Sequence, residues 1–140
     1  MKLQPDTISV QSISGYGAGW IGLGQERVMH SVIIGSGGER QAWPCDRFED
    51  LSAEHFAPLA VLGADIVIFG SGSSIRFPRA DWIRALVEKQ IGIETMDTQA
   101  ACRTYNVLAA EGRRVVAALL LERRPNETTV ATKGEVSFSG

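Results

Sequence analysis

The chain is short of the residues from which metal and redox sites are built, with two cysteines and two histidines among 140 residues. Cys45 and Cys102 lie far apart, fit neither zinc-ligand spacing nor a redox pair, and are expected as reduced thiols. A thiol near a helix start is activated by the helix dipole, but catalysis also needs a base. Neither His30, in an expected strand, nor His55, in an expected helix, sits in a recognisable pairing motif. Cys102 is therefore read as a packed, inert thiol, and no catalytic residue, metal ligand or cofactor is assigned. An excess of charge of one sign is also missing. The formal net charge is −2, with no stripe of Lys and Arg interleaved with aromatics, so nucleic acid is not an expected partner. Trp20, Trp43, Trp82 and Tyr16 are read as core or rim aromatics for the same reason. Long apolar runs are absent as well: stretches such as residues 57–64 and 115–121 fall far below the roughly 20 residues that span a bilayer. The opening MKLQPDTISVQSISG has neither the apolar core of a signal peptide nor the Arg-rich pattern of a transit peptide. The expected setting is a bacterial-type cytoplasm without membrane insertion.

What the chain does have is order from Asp65 onward: an apolar run ending in a glycine-serine loop, an amphipathic stretch, a second apolar run, a second helical stretch and a third apolar run. That succession predicts a parallel β-α-β-α-β unit, with residues 66–69 as a strand buried on both faces. Before it, short strands are expected at residues 7–12, 20–23 and 28–35, with 40–43 as a hairpin partner and 15–19 as a turn-rich stretch. Ser52 caps an expected helix that Pro58 interrupts and Gly63 ends. Pro78 is expected in the first turn of a helix reaching about residue 90. A further helix starts at Asp97 or Thr98, ends before Gly112, and should bury Ala101, Tyr105 and Leu108 with Ala100, Thr104 and Val107. Residues 1–122 are thus expected as one α/β domain, a mixed sheet with an antiparallel N-terminal portion, and the polar residues 123–140 as a disordered tail.

Ligands on such sheets sit beyond the carboxyl ends of the strands, which here carry Gly70, Ser71 and Gly72, then Asp97 and Thr98. The glycine loop resembles a phosphate cradle, yet Ile75 stands where a dinucleotide fingerprint needs its third glycine, and no Gly-Lys-Ser/Thr follows. A plain strand-to-helix turn explains it better. Asp97 as a helix cap explains its position without a ligand. Arg103, on a helix whose other polar residues include Gln99 and Asn106, can clamp a carboxylate or phosphate with Arg76, or tie helix to sheet by pairing with Glu111, Asp97 or Glu94.

The segments FGSGSSIRFP and IGIETMDTQAACRTYNVLAAEGRRVVAALL resemble the signature of a small-domain family of largely unknown function. That family includes a mitochondrial complex I assembly factor and an adipogenesis-associated cytosolic member. The likeness runs over residues 8–121, is densest after Asp65, and has MDT, CRTYN and EGRR as its distinctive set. It implies a single three-layer β/β/α domain without an established catalytic reaction, and other proteins as partners. The expected function is a non-enzymatic protein-binding module, an assembly or regulatory factor, with Gly70, Ser71, Gly72, Arg76, Asp97, Thr98, Arg103 and Asn106 on its contact surface. The alternative is a small-molecule or anion-binding protein, or an enzyme, in which Arg76 and Arg103 hold an anion and Asp97 is the base. An enclosed pocket with convergent polar groups favours the alternative; a shallow exposed apolar patch favours a protein partner.

Overall fold

A computed structural model describes residues 10–122 and, as backbone, the strand Val136–Ser137. Two sheets form. The first is antiparallel, built from β1 (Gly15–Gly17), β2 (Trp20–Leu23), β3 (Glu26–Val28) and the late strand β9 (Val136–Ser137), in the order β3-β2-β1-β9. The second has the order β5-β4-β8-β6-β7, from β4 (Val32–Gly35), β5 (Arg40–Ala42), β6 (Ile66–Gly70), β7 (Gly92–Met96) and β8 (Val115–Leu119). Within it β6 runs parallel to β7 and β8, while β4 is antiparallel to β5 and β8. The expected mixed sheet, with a parallel portion from residue 65 and an antiparallel portion before it, is what forms.

Period-2 alternation divides the second sheet between two cores. Val32, Ile34, Ile68, Val115, Ala117 and Leu119 face the first sheet and the long helix α3 (Thr98–Ala110). Ile33, Val67, Phe69, Val116 and Ala118 face the short helices α1 (Ala53–Phe56) and α2 (Arg84–Glu88). Three layers result: the first sheet with α3 beside it, the second sheet, and the short helices.

Several local expectations are corrected. Residues 15–17 are a strand, not a turn, because Gly15, Tyr16 and Gly17 pair with Gly22, Ile21 and Trp20. The run 28–35 breaks at Met29–Ser31 so that β3 and β4 enter different sheets. The strand expected at 7–12 lies partly outside the described residues, and residues 10–12 are not strand. The helix expected from Pro78 shrinks to Arg84–Glu88, since Trp82 turns inward to lie 5.4 Å from Phe48 and 6.0 Å from Phe56, ring centre to ring centre. Tertiary burial of that ring outweighs local helix propensity. On α3 the buried stripe is Thr98, Ala101, Cys102, Tyr105 and Ala109, whereas Val107 is 55% exposed. The expected tail, 123–140, lies outside the described residues apart from the two of β9.

Candidate functional site

The connection leaving β6 leads to α2 on one face of the sheet and that leaving β7 leads to α3 on the other, so the C-terminal ends of these adjacent strands form a switch point. This is where the glycine loop and Asp97 meet. Gly70 is needed there because a Cβ on it would stand 3.0 Å from Thr98 Cα and 3.1 Å from Ala101 Cβ. The helix start therefore rests directly on the end of the strand.

The polar groups between loop and helix are spent on one another. Ser71, fully buried, donates its hydroxyl proton to Ser74 O at 2.8 Å and accepts from Arg76 N–H at 2.9 Å. Gly72, at φ +103°, donates its N–H to Thr98 Oγ1 at 2.8 Å, and that hydroxyl donates to Leu120 O at 2.7 Å. Thr98 N–H returns to Gly72 O at 2.9 Å. Asp97 Oδ1 accepts from Ala100 N–H at 2.9 Å and is the α3 cap. Ser71 and Thr98 thus knit the glycine loop to the start of α3.

Arg76 is held from several sides. Its Nη2 donates to Ser71 O at 2.7 Å and pairs with Glu122, its Nη1 lies 3.7 Å from a Glu49 carboxylate oxygen, and the guanidinium sits 4.6 Å over the Phe48 ring. Glu122 also accepts from Phe48 N–H at 3.1 Å, so one carboxylate joins the end of the sheet to the aromatic core. Arg76 Nε is buried without a partner among the described residues.

Arg103 and Asn106 are not brought to this site. Arg103 Nη1 donates to Tyr16 OH at 2.7 Å, on the first-sheet side, and no ion pair with Glu111, Asp97 or Glu94 forms. Asn106 clamps Ile13, accepting from its N–H at 2.8 Å and donating to its C=O at 2.9 Å. Tyr105 OH adds a bond to Gln11 O at 2.7 Å. Arg103, Tyr105 and Asn106 of the CRTYN segment therefore fasten residues 11–16 to α3. Cys102 in the same segment is fully buried, and its thiol is pushed up to about 12 by desolvation, against the opposing pull of Arg103. Burial also raises the Cys45 thiol. No group of three or more His, Cys, Asp or Glu among the described residues is placed to hold a metal. No helix of the described residues is long and apolar enough to cross a membrane.

Two residues were not singled out from the sequence for binding. Ile75 is 52% exposed and Phe77 69% exposed, flanking Arg76 on the same loop. The available signal was the pattern apolar-Arg-apolar-Pro after a glycine turn. Two clefts, of about 290 and 270 Å³, lie elsewhere, near β5 and between β1 and β3; neither includes a residue of this loop.

Residues 13–120 match the family described as "Protein of unknown function (DUF498/DUF598)". The chain is 31% identical over 97 residues to NADH dehydrogenase [ubiquinone] 1 alpha subcomplex assembly factor 3 of Rattus norvegicus, covering 68% of this chain and 51% of that protein. It spans about half the length of that relative. It is 33% identical over 119 residues to an uncharacterized protein of Rhodobacter capsulatus, covering 84% and 90%. The crystal structure of a protein from Bordetella parapertussis superposes with a TM-score of 0.76 at 37% identity, covering 81% of this chain and 97% of that one.

Proposed function

The chain belongs to the DUF498/DUF598 family of unknown function, and from that premise we propose that it is a non-enzymatic protein-binding module of the assembly-factor kind, acting in a bacterial cell. Its contact surface is the loop after β6, with Ile75 and Phe77 as the apolar contacts. Gly70, Ser71, Gly72 and Thr98 shape the loop from beneath, Asp97 anchors the helix beside it, and Arg76 fixes its middle.

The observation that carries the reading is the combination of spent polar groups and exposed apolar ones at a single switch point. A ligand site needs unsatisfied donors converging on a cavity. Here the donors of Gly72, Thr98 and Ser71 are satisfied internally and a single buried donor, Arg76 Nε, is left over among the described residues, while a phenylalanine ring stands in solvent. Apolar side chains clustered on a rigid loop are what protein interfaces bury at their centres. The name of the assembly-factor relative supports the same direction.

The test is affinity capture from native bacterial lysate with the full chain and with the double variant Ile75→Ser/Phe77→Ser, followed by mass spectrometry of proteins and small molecules. Specific proteins retained by the parent and lost by the variant, at unchanged melting temperature, are expected. Equal retention by both, or a carboxylated or phosphorylated metabolite that the parent holds and turns over only with Asp97 intact, would overturn the proposal.

A further inference from the structure

At the opposite edge of the second sheet, β5 has no neighbour beyond it among the described residues. Its ladder to β4 fixes which backbone groups are free. Gly35 N–H donates to Glu39 O and Trp43 N–H to Ser31 O, both at 2.9 Å, and Gln41 is paired with Ile33. Glu39, Gln41 and Trp43 therefore turn their backbone groups toward β4, and Arg40 and Ala42 turn theirs outward. All three residues of β5 are exposed. Pro44 has no N–H, so the usable edge ends there.

Beside this edge, on the helix-facing side, lies the cleft of about 290 Å³, walled by Ile33, Gln41, Trp43, Pro44, His55 and Pro58. That volume is at the low end of the roughly 300–1,000 Å³ of small-molecule pockets, and suits one or two side chains. Its walls are rigid. Trp43 Nε1–H donates to His55 O at 2.9 Å, and His55 Nδ1 accepts from Ser52 N–H at 3.1 Å while Nε2 lies 3.2 Å from Pro44 O. Both ring nitrogens are occupied, so the histidine is wall, not base. The remaining charge on the lining is Glu54, exposed and without an ion pair among the described residues. Asp46 and Asp50, also exposed and unpaired there, lie on the segment joining β5 to α1. The cations here are engaged, Arg40 by Glu26 at 2.7 Å and Arg47 by Glu49 at 3.6 Å. A free strand edge, an apolar cleft and the Glu54 carboxylate thus coincide.

We infer that the β5 edge is a second interaction surface, which takes an extended peptide segment of another protein as an added strand. The segment carries an aliphatic side chain and a Lys or Arg two residues apart. The outward N–H and C=O groups of Arg40 and Ala42 hydrogen-bond its backbone, the aliphatic side chain enters between Trp43 and Pro58, and the basic one meets Glu54. A second copy of the chain fits less well, since like pairing of two β5 edges brings two uncompensated Glu54 carboxylates to one interface.

The probe is a fluorescein-labelled nonapeptide with threonine at every other position and valine and lysine alternating between, titrated with the full chain by fluorescence polarisation. Saturable binding is expected, about tenfold weaker for Ala42→Pro, which removes an outward N–H only, and about fivefold weaker for Glu54→Lys. Should Ala42→Pro lower the melting temperature, a nonapeptide N-methylated at alternate amides puts the same question to the unaltered protein and is expected to bind at least tenfold more weakly. No saturable binding, or equal affinity for the methylated peptide or for one with glutamate in place of lysine, would overturn the inference. So would a dimer that Ala42→Pro converts to monomer, since the occupant would then be a second copy.

Discussion

Asn106 is a two-way clamp, because a single amide satisfies both backbone groups of Ile13 from a helix far away in sequence. Replacing it by Ala leaves a part-buried N–H and C=O without partners, each worth about 1–3 kcal/mol. Denaturant titration of Asn106→Ala is expected to show a loss of about 2–3 kcal/mol; a loss below about 0.5 kcal/mol would mean that water replaces the clamp. Cys102 gives a prediction in pH. Its thiol is raised to about 12 in the fold, so between the ordinary thiol value of about 8.5 and 12 the unfolded chain has lost a proton that the native one keeps. The contribution is fully present below about pH 8.5 and is lost as pH climbs toward 12, and Cys102→Ala should flatten that part of the stability profile. Residual slope from Tyr105 is expected, because desolvation raises its phenol too. At this scale the sequence was legible where the partner is local and opaque where it is distant. Asp97 as a cap needs only Ala100, three residues on. Arg103 has its partner, Tyr16, 87 residues away, and nothing in the local pattern distinguishes a guanidinium that waits for a ligand from one already held by a phenol.

At the scale of elements, α3 was readable because several signals agreed: a capping Asp97, an apolar stripe at helical spacing with no Gly or Pro in the run, and Gly112, which adopts φ +84° just past the end. The stretch after Pro78 carried a start signal and apolar residues at helical spacing, and tertiary packing of Trp82 overrode them over the first turns. β1 was missed because Gly15 and Gly17 read as turn residues. Gly22 opposite them is required by close approach, since a Cβ there would lie 2.8 Å from Ser14 Oγ and 3.2 Å from Gly15 N. The joint between α3 and the strand ends is testable through Thr98, whose hydroxyl both accepts from Gly72 N–H and donates to Leu120 O. Thr98→Val keeps the shape and removes both bonds, and should cost about 2–3 kcal/mol, against about 1 kcal/mol for Asp97→Ala, which removes only the cap. The reverse order in thermal or denaturant unfolding would place the weight of the joint on the cap.

Over the whole molecule, the α/β class and the parallel unit followed from the order of apolar runs, whereas the division into two sheets came only with the family resemblance, because residues 28–35 read as one strand and separate into β3 and β4 only by pairing with different neighbours. The location of the candidate surface was legible for a topological reason, as adjacent parallel strands with connections on opposite faces end beside each other. Its character was not, since that depends on which polar groups are already satisfied across the fold. Arg76 and Arg103 were expected to meet in one crevice; instead one lies over Phe48 in the core facing the short helices and the other reaches Tyr16 in the core facing the first sheet. The proposed surface rests on the exposed apolar side chains of Ile75 and Phe77. The most direct measurement places a photo-crosslinking benzoylphenylalanine at position 77 and, as a control on the same protein, at Val61, which is 71% exposed away from the glycine loop. Irradiation in living bacteria should give a discrete crosslinked protein from position 77 that is absent from position 61. Crosslinks of the same pattern and yield from both positions, or none from 77, would contradict the assignment of this loop as the contact surface.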